Sequence, residues 1–365
     1  MGCWVSSHWI EHLLVTLGES FVSVRTLPSR RAAALAGALL LAAVPVAACG
    51  SSSGSGSGGG GGKVQLSLVA YSTPKAAYAD IIKAFQKTPQ GKNITFTQSF
   101  GASGDQSRAV ENGLKADVVA FSLSPDITRL VKDKIVAADW DKTPTKGMVT
   151  DSVVVIATRK GNPKGLKDWP DLIKPGVQVI TPNPFTSGGA RWNVMAAYGA
   201  QSDLGKNHDA GLNYLKGLFD NVPVQDDSAR NSLQTFTNGK GDALISYEND
   251  ALFAQQQKQP IDFTIPNKTI LIENPVAVTA NSAHPAEAKA FTDFLQTDTA
   301  QKIFADNGYR PVLQSAVPAG KFPTPAGLFT IDQLGGWSKV TTDFFDPTSG
   351  ALVTVEQKNG VPTKK

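Results

Sequence analysis

Three successive runs of residues decide the fold class: VQLSLVAYS at 64–72, AAYADIIKAFQK at 76–87 and NITFTQSF at 93–100. The first and last runs are short and rich in β-branched and aromatic residues, which favours strands. The middle run repeats apolar residues at the spacing of a helix with one buried face. Together they predict a strand, a helix and a second strand, the unit from which helix-covered sheets are built.

The same alternation continues along the rest of the chain. Further strands are predicted at 116–123, 151–160, 177–182 and 241–249. Further helices are predicted at 107–115, 190–200, 211–219, 286–296 and 299–307, and a last one begins within 331–339. Strands that alternate with helices indicate an α/β protein with a parallel or mixed sheet.

The composition indicates a folded protein and excludes several functional classes. The 365 residues are 41% hydrophobic, which is enough for a large core and for about two domains. The formal charge is only +4 and no long run of like charges occurs, so nucleic acid is not an expected partner. Because Cys3 and Cys49 are the only cysteines, the globular part has no disulfide framework and no cysteine-rich zinc site.

The first 62 residues have the pattern of an export signal followed by a tether. Arg30 and Arg31 precede the apolar run AAALAGALLLAAVPVAA at 32–48, and Cys49 follows at once. A basic segment, an apolar run and small residues before the cleavage point are typical of a signal peptide. VAAC at 46–49 resembles the lipobox of bacterial lipoproteins, which implies acylation of Cys49. We therefore expect an exported chain, lipid-anchored to the outer face of the bacterial cell membrane.

Two details of this terminus refine the expectation. Residues 1–24 precede a complete signal and contain Glu11 and Glu19, unlike the basic segment of a signal peptide, so they indicate a mis-assigned start. Residues 50–62 are only glycine and serine, which predicts a flexible tether between the lipidated Cys49 and the globular part. We expect the signal peptide to occupy 1–48 and the lipidated cysteine with its tether to occupy 49–62.

Three loops place small polar residues directly before a predicted helix. They read GASGDQSR at 101–108, TSGGARW at 186–192 and DDSARNS at 226–232. A helix start presents unpaired N–H donors and a partial positive charge, which suits an anion. An ordinary capped helix is the alternative for each loop taken singly.

Motifs for nucleotide binding and for common catalytic sites are missing from the sequence. The three loops fit neither the P-loop nor GxGxxG, and the chain contains no GxSxG elbow and no HExxH motif. No histidine lies near the loops in sequence. We therefore predict no catalytic residue, no metal site and no cofactor, and hence no enzyme.

The chain resembles the periplasmic sulfate-binding proteins of sulfate and thiosulfate import systems. The longest similar segment is KGNPKGLKDWPDLIKPGVQVITPNPFTSGGARWNVMAAYG at 160–199. Shorter ones follow the same order along the chain: GASGDQ at 101–106, ADVVAFSLSPDI at 116–127, SAR at 228–230, GDALISYENDAL at 241–252, YRPV at 309–312 and FTIDQLGGW at 329–337. The resemblance covers residues 64 to about 340.

This resemblance implies the type II periplasmic binding protein fold, in which two lobes, each a mixed sheet flanked by helices, are joined by a two-crossover hinge. Lobe 1 would comprise 63–147 and 273–345, lobe 2 would comprise 148–272, and 346–365 would be a C-terminal tail. The implied protein is a monomer that closes over sulfate and delivers it to the permease subunits of an ABC importer, whose ATPase is a separate chain.

The resemblance also implies which residues contact the ligand. Carried onto this sequence, the ligand-binding positions are Ser72, Ser103, Ser187, Gly188, Gly189, Ala229 and Tyr247. Arg191 and Arg230 flank two of the loops and are expected to brace the site or to join the lobes, with a surface salt bridge as the alternative.

Two positions depart from the family pattern. Ser72 stands where the family often has aspartate, and since that contact uses a main-chain N–H, little should change. Tyr247 stands where the sulfate binders usually have tryptophan. The hydroxyl of a tyrosine and the N–H of a tryptophan place their protons at different distances from the backbone. Thiosulfate therefore remains an alternative ligand.

The remaining alternatives follow from the chemistry of the ligand. Sulfate accepts hydrogen bonds only, so a site made of N–H and O–H donors satisfies it. Phosphate retains a proton and needs an acceptor, and Asp227 and Glu248 lie one or two residues from predicted contacts, so a phosphate receptor remains an alternative. A molybdate receptor and a secreted hydrolase are further alternatives, of which the hydrolase would need a Ser–His pair or a metal cluster.

Overall fold

A computed structural model describes residues 62–363. The predicted signal peptide, the lipidated Cys49 and the tether up to residue 61 lie outside the described residues. Within 62–363, no helix has both the length and the apolar character that a membrane crossing requires.

The elements alternate along the chain much as the sequence predicts. The strands are β1 Val64–Tyr71, β2 Ile94–Gly101, β3 Val118–Ala120, β4 Met148–Arg159, β5 Val179–Ile180, β6 Ala243–Tyr247, β7 Ile261–Thr264, β8 Thr269–Val278, β9 Arg310–Pro311 and β10 Leu328–Phe329. The helices are α1 Lys75–Phe85, α2 Ser103–Glu111, α3 Ser124–Lys132, α4 Gly188–Gln201, α5 His208–Asp220, α6 Ala229–Thr237, α7 Glu248–Gln256, α8 Pro285–Leu295, α9 Asp298–Asp306, α10 Gly336–Phe345 and α11 Ala351–Lys358. Short 3-10 helices occupy Trp169–Ile173, Gln314–Ala316 and Ile331–Leu334.

The first strand–helix–strand unit forms as predicted. β1 and β2 pair in parallel from Val64↔Ile94 to Tyr71↔Gly101, and α1 is the crossover between them. Helix α1 buries Tyr78, Ile81 and Phe85, because the apolar residues recur at helical spacing and face the sheet.

The strands form one mixed sheet in the order β2-β1-β3-β8-β4-β6-β5, with β7 and β9 on β4 and β10 on β8. The pairs β1–β2, β1–β3 and β5–β6 are parallel, whereas β8 runs antiparallel to β3 and β4. The early part of β4 pairs with β8, and its later part, from Val154 onward, pairs with β6 and β7. β4 therefore connects the part of the sheet that contains β1 with the part that contains β5.

Several element bounds differ from the sequence prediction. Helix α2 begins at Ser103 instead of residue 107, since the small residues 103 and 104 are buried inside the first turn. Strand β6 ends at Tyr247, where α7 begins, so residues 248 and 249 are helical and not in the strand. The predicted last helix is divided, because Gly335 adopts φ 94° between a 3-10 turn and α10.

Residues 351–358, within the expected C-terminal tail 346–365, are helical. They form helix α11, which buries Leu352 and Val353 against the fold. Glu356 on the same helix is also buried, and Gln225 Nε2 donates to it at 2.6 Å.

Candidate functional site

Six helices begin around one point of the structure. Ser72 and Thr73 precede α1, Ser103 is the first residue of α2, and Ser122 precedes α3. Ser187 is the N-cap of α4, Ala229 is the first residue of α6, and Tyr247 is the N-cap of α7. Because helix starts present N–H donors and partial positive charge, this arrangement concentrates a positive potential without charged side chains.

These residues line a small cavity. The volume open to the centre of a water-sized sphere is about 10 Å³. The cavity therefore suits a compact ion more than an organic molecule. The lining residues are Tyr71, Ser72, Thr73, Ser103, Ser122, Ser187, Gly189, Ala229 and Tyr247. None of these carries an ionised side chain, and hydroxyl groups dominate the wall.

The start of α4 supplies the first part of the wall. Ser187 caps the helix, because its Oγ accepts from the Ala190 N–H at 3.4 Å. Its own N–H donates to the Asn183 oxygen at 2.9 Å, so the hydroxyl is the group of Ser187 left for a ligand. Gly188 and Gly189 are the first helical residues, whose N–H groups have no partner within a helix. Gly189 lines the cavity, whereas the predicted contact Gly188 is not among the lining residues.

At the start of α2, the Ser103 hydroxyl is used by a neighbouring carboxylate. Ala102 is the N-cap, and the Ser103 hydroxyl donates to Asp126 Oδ2 at 2.6 Å. Ser103 Oγ also accepts from the Ser122 N–H at 2.9 Å. Ser103 therefore faces the cavity with its backbone N–H available rather than its hydroxyl proton. Burial raises the pKa of Asp126, and Arg191 nearby opposes this shift.

The start of α6 contacts the loop after β1. The Arg230 N–H donates to Ser72 Oγ at 3.4 Å, and Arg230 Nη2 donates to the Thr73 oxygen at 2.7 Å. Ala229, the first helical residue, lines the cavity between them. This contact joins a segment after β1 to one that precedes β6.

Tyr247 ends β6 and is almost fully buried, with 1% of its surface exposed. Its Oη lies 2.6 Å from Ser122 Oγ. Burial raises the pKa of the Tyr247 phenol well above its ordinary range, so the group keeps its proton.

The two arginines lie outside the cavity wall. Arg191 donates from Nε to the Pro184 oxygen at 2.9 Å and stacks over Phe345, and burial lowers its pKa to about 10. Arg230 stacks over Phe253 and lies 3.7 Å from Asp250 Oδ1. The ion-pair partner of Arg230 is therefore a buried carboxylate and not a surface one.

The carboxylates near the predicted contacts are engaged elsewhere. Glu248 forms a two-bond ion pair with Arg310 at 2.7 and 3.0 Å. Asp226 accepts from Ser232 and Thr235 at 3.0 and 2.9 Å. No carboxylate of residues 62–363 lines the cavity, nor do they contain a cluster of three or more histidine, cysteine, aspartate or glutamate residues suited to a metal.

Tyr71, Thr73 and Ser122 also line the cavity and were not predicted from the sequence. Thr73 is buried, and its Oγ1 lies 3.1 Å from Tyr309 Oη. Ser122 lies just after β3, within the segment predicted as a strand. Ligands of open α/β sheets lie beyond the carboxyl ends of strands, so the hydroxyl at the end of that strand was the available signal.

The sheet, its helical covers and the anion-suited cavity define the class of type II periplasmic binding proteins, as the sequence predicted. A family model described as "Bacterial extracellular solute-binding protein" matches residues 66–310. The chain belongs to this family, and within it to the sulfate-binding proteins. A solute-binding protein is a receptor, so the chain is not an enzyme.

Individual relatives agree with this assignment. The chain is 42% identical over 334 residues to the sulfate-binding protein of Synechococcus elongatus, covering 88% of this chain and 95% of the relative. It is 34% identical over 294 residues to the thiosulfate-binding protein of Pseudomonas aeruginosa, covering 76% and 88%. The solved structure of the sulfate-binding protein SubI from Mycobacterium tuberculosis is 44% identical with a TM-score of 0.76, covering 78% of this chain and all of that one.

Proposed function

We propose that this chain is an extracytoplasmic receptor that captures sulfate in the cavity and delivers it to an ABC importer. The observation that carries the proposal is the meeting of six helix starts and several hydroxyls around a cavity with no ionised side chain in its wall. The relatives named for sulfate support the choice of ligand.

The chemistry of the wall matches that of the ligand. Sulfate is a dianion near neutral pH and only accepts hydrogen bonds, so each wall donor can satisfy it. We expect direct contacts from Ser72, Ser103, Ser187, Gly188, Gly189, Ala229 and Tyr247. The helix dipoles would compensate the ligand charge, since cationic side chains do not reach the cavity.

The wall also argues against other ligands. Phosphate keeps a proton near neutral pH and needs an acceptor such as a carboxylate, and Glu248 is committed to Arg310. The small volume disfavours organic phosphates. Thiosulfate is the second candidate, because a relative named for thiosulfate is 34% identical and because Tyr247 replaces the family tryptophan.

The proposed lobes are 63–147 with 273–345, and 148–272, with the crossovers in β4 and β8. Both strands run through the region where the two proposed lobes meet, which supports the division. Contacts between the lobes include the bond from the Gly104 N–H to the Thr186 oxygen, 3.0 Å long. Ligand would favour the closed arrangement by its higher affinity for that state, and closure would signal occupancy to the permease.

Membrane attachment is part of the same proposal. Cleavage after residue 48 and acylation of Cys49 would leave the receptor on a glycine–serine tether at the outer face of the cell membrane. The energy for transport would come from a separate ATPase, and the receptor would act as a monomer.

Calorimetric titration of the protein that begins after Cys49, with sulfate, thiosulfate, phosphate and molybdate, tests the function. We expect heat and a raised melting temperature with sulfate, a weaker or similar response with thiosulfate and no response with phosphate. Binding of phosphate in the absence of any response to sulfate and thiosulfate would refute the proposal. Fractionation of cells that express the full chain, with Cys49→Ala as the control, tests the anchor.

A further inference from the structure

Ser122 belongs to no loop that the sequence assigned to the ligand, yet it is fixed in the cavity wall. Its side chain is completely buried and its Oγ lies 2.6 Å from Tyr247 Oη. Its N–H donates to Ser103 Oγ at 2.9 Å. Its carbonyl oxygen accepts from Trp192 Nε1 at 2.8 Å and from Asn274 Nδ2 at 3.0 Å. With both backbone groups bonded, Ser122 holds its hydroxyl in one place.

The orientation of the Asn274 amide determines where the neighbouring protons go. The atom that faces the Ser122 carbonyl must be Nδ2, because a carbonyl oxygen only accepts. Oδ1 accepts from Tyr71 Oη at 3.1 Å and from Thr150 Oγ1 at 3.2 Å, which uses both of its lone pairs. Asn274 Oδ1 is therefore not available as an acceptor for the hydroxyl of Tyr247 or of Ser122.

A count of protons follows from this orientation. The Ser122 and Tyr247 hydroxyls carry one proton each, and one of the two lies in the bond between them. Asn274 takes neither proton, because its Oδ1 already accepts from Tyr71 and Thr150. Among residues 62–363, neither hydroxyl forms another hydrogen bond. Since both residues line the cavity, the second proton is available to a ligand.

We propose that Ser122 is a ligand-binding residue and that Ser122 and Tyr247 bind the anion as one hydroxyl pair, which supplies one donor. The inference rests on the proposed function, since it concerns the ligand of the same cavity. Either hydroxyl can supply the donor, because removal of one partner frees the proton of the other. Loss of either hydroxyl alone should therefore be tolerated, whereas loss of both should weaken binding of the anion.

Titration of sulfate into the wild type, Ser122→Ala, Tyr247→Phe and the double variant tests the pair. We expect each single variant to bind within about threefold of the wild type. The double variant should bind at least about tenfold more weakly, the effect of losing a donor to a charged acceptor. Ser107→Ala is the matched control, since Ser107 is a fully buried serine that donates to the Asp126 oxygen at 2.7 Å and does not line the cavity.

Different results would overturn the inference in different ways. A double variant that binds as tightly as Tyr247→Phe would remove Ser122 from the site. Single losses of tenfold each that multiply in the double variant would show two independent donors and no pair. If the smaller side chain prevents folding, judged by the melting transition, Ser122→Cys replaces it, because a thiol of similar size is a weak donor. A wild type that binds neither sulfate nor thiosulfate would instead refute the proposed function.

Discussion

Arg230 Nη2 donates a hydrogen bond of 2.7 Å to the backbone oxygen of Thr73, which ties the first turn of α6 to the loop that follows β1. The guanidinium also lies 3.7 Å from Asp250, whose side chain is fully buried. Burial raises the pKa of Asp250 and Arg230 opposes this shift. Arg230 thus joins the two proposed lobes on one side and compensates a buried carboxylate on the other.

Arg230→Gln should therefore weaken sulfate binding by about tenfold and also lower the melting temperature. Affinity falls because a contact between the lobes is lost, and stability falls because Asp250 remains buried and uncompensated. Addition of Asp250→Asn should restore stability and leave the affinity low. Calorimetry and thermal melting separate these effects, with Lys289→Gln, from an exposed ion pair with Asp293, as the control. Recovery of affinity in the double variant would show that Arg230 acts only through Asp250.

Ser187→Ala should weaken sulfate binding by about 1–3 kcal/mol, because a hydroxyl donor to a charged acceptor is lost. The substitution also removes the side-chain cap of α4, so the control must remove a comparable cap from another helix. Thr297→Ala provides it, since Thr297 caps α9 by accepting from the Ala300 N–H at 3.4 Å, the same distance as in the Ser187 cap. Titration calorimetry of both variants measures the difference, and equal affinity in the two would remove Ser187 from the site.

Much of the fold follows from patterns that act locally. β1, α1 and β2 form within a residue or two of their predicted bounds, because apolar spacing and β-branched content act over a few residues. α11 was missed, since its burial depends on a surface formed by distant elements. The start of α2 was placed late for a related reason: Ala102 caps it without a side-chain bond, so the usual polar signal is absent.

The candidate site was predicted in part. Ser187, Gly189 and Ala229 precede or begin helices, and such positions can be recognised from the sequence. The hydrogen bond from the Ser103 hydroxyl to Asp126 could not be predicted from the sequence. The two residues are separated by 23 positions and meet only through the packing of α2 on α3. Ser122 was missed because its role depends on a partner 125 residues away.

Gly188→Ala should reduce sulfate affinity by about tenfold or more. A Cβ at this position would lie 2.0 Å from Leu123 Cδ2 and 2.9 Å from Ser122 Cβ, so α4 and the residues before α3 would have to separate. Gly217→Ala is the control, because its Cβ would meet Ile173 at an ordinary 3.6 Å inside α5. Wild-type affinity in Gly188→Ala would show that the two segments can separate without disturbing the ligand.

Tyr247→Trp should raise the preference for sulfate over thiosulfate. The indole is larger than the phenol and reduces the space for the longer sulfur of thiosulfate, while its N–H donates to an oxygen. The ratio of the two dissociation constants, measured by calorimetry under one set of conditions, is the relevant quantity. An unchanged ratio would show that position 247 does not set this selectivity.

The pair Asp151 and Glu273 should make stability depend on pH. The two residues face each other across β4 and β8, where the proposed lobes meet. Burial, together with the charge of Glu273, raises the pKa of Asp151 to about 7, although Arg310 on β9 opposes the shift. Burial also raises the pKa of Glu273, Asp332 adds to this shift and Lys146 opposes it.

The sign follows from the direction of the shift. An aspartate in the unfolded chain titrates near pH 4, so the folded state holds the Asp151 proton more tightly than the unfolded state. Its contribution to stability is complete below about pH 4 and is lost as the pH rises through about 7. The side chain at position 151 in Asp151→Asn does not ionise, so the variant does not lose stability in this way as the pH rises. The variant should therefore be about 1–3 kcal/mol more stable than the wild type at pH 8, and the difference should shrink to near zero at pH 4.

Urea unfolding of both proteins between pH 4 and 8, without sulfate, measures this difference. Asp262→Asn is a suitable control, because the pKa of Asp262 is lowered by its bond to Lys160 and the sign of the pH dependence is reversed. At pH 8 the wild type should therefore be more stable than Asp262→Asn. A constant difference between Asp151→Asn and the wild type across the range would mean that Asp151 stays ionised in the folded protein. The like charges across β4 and β8 would then be compensated by Arg310.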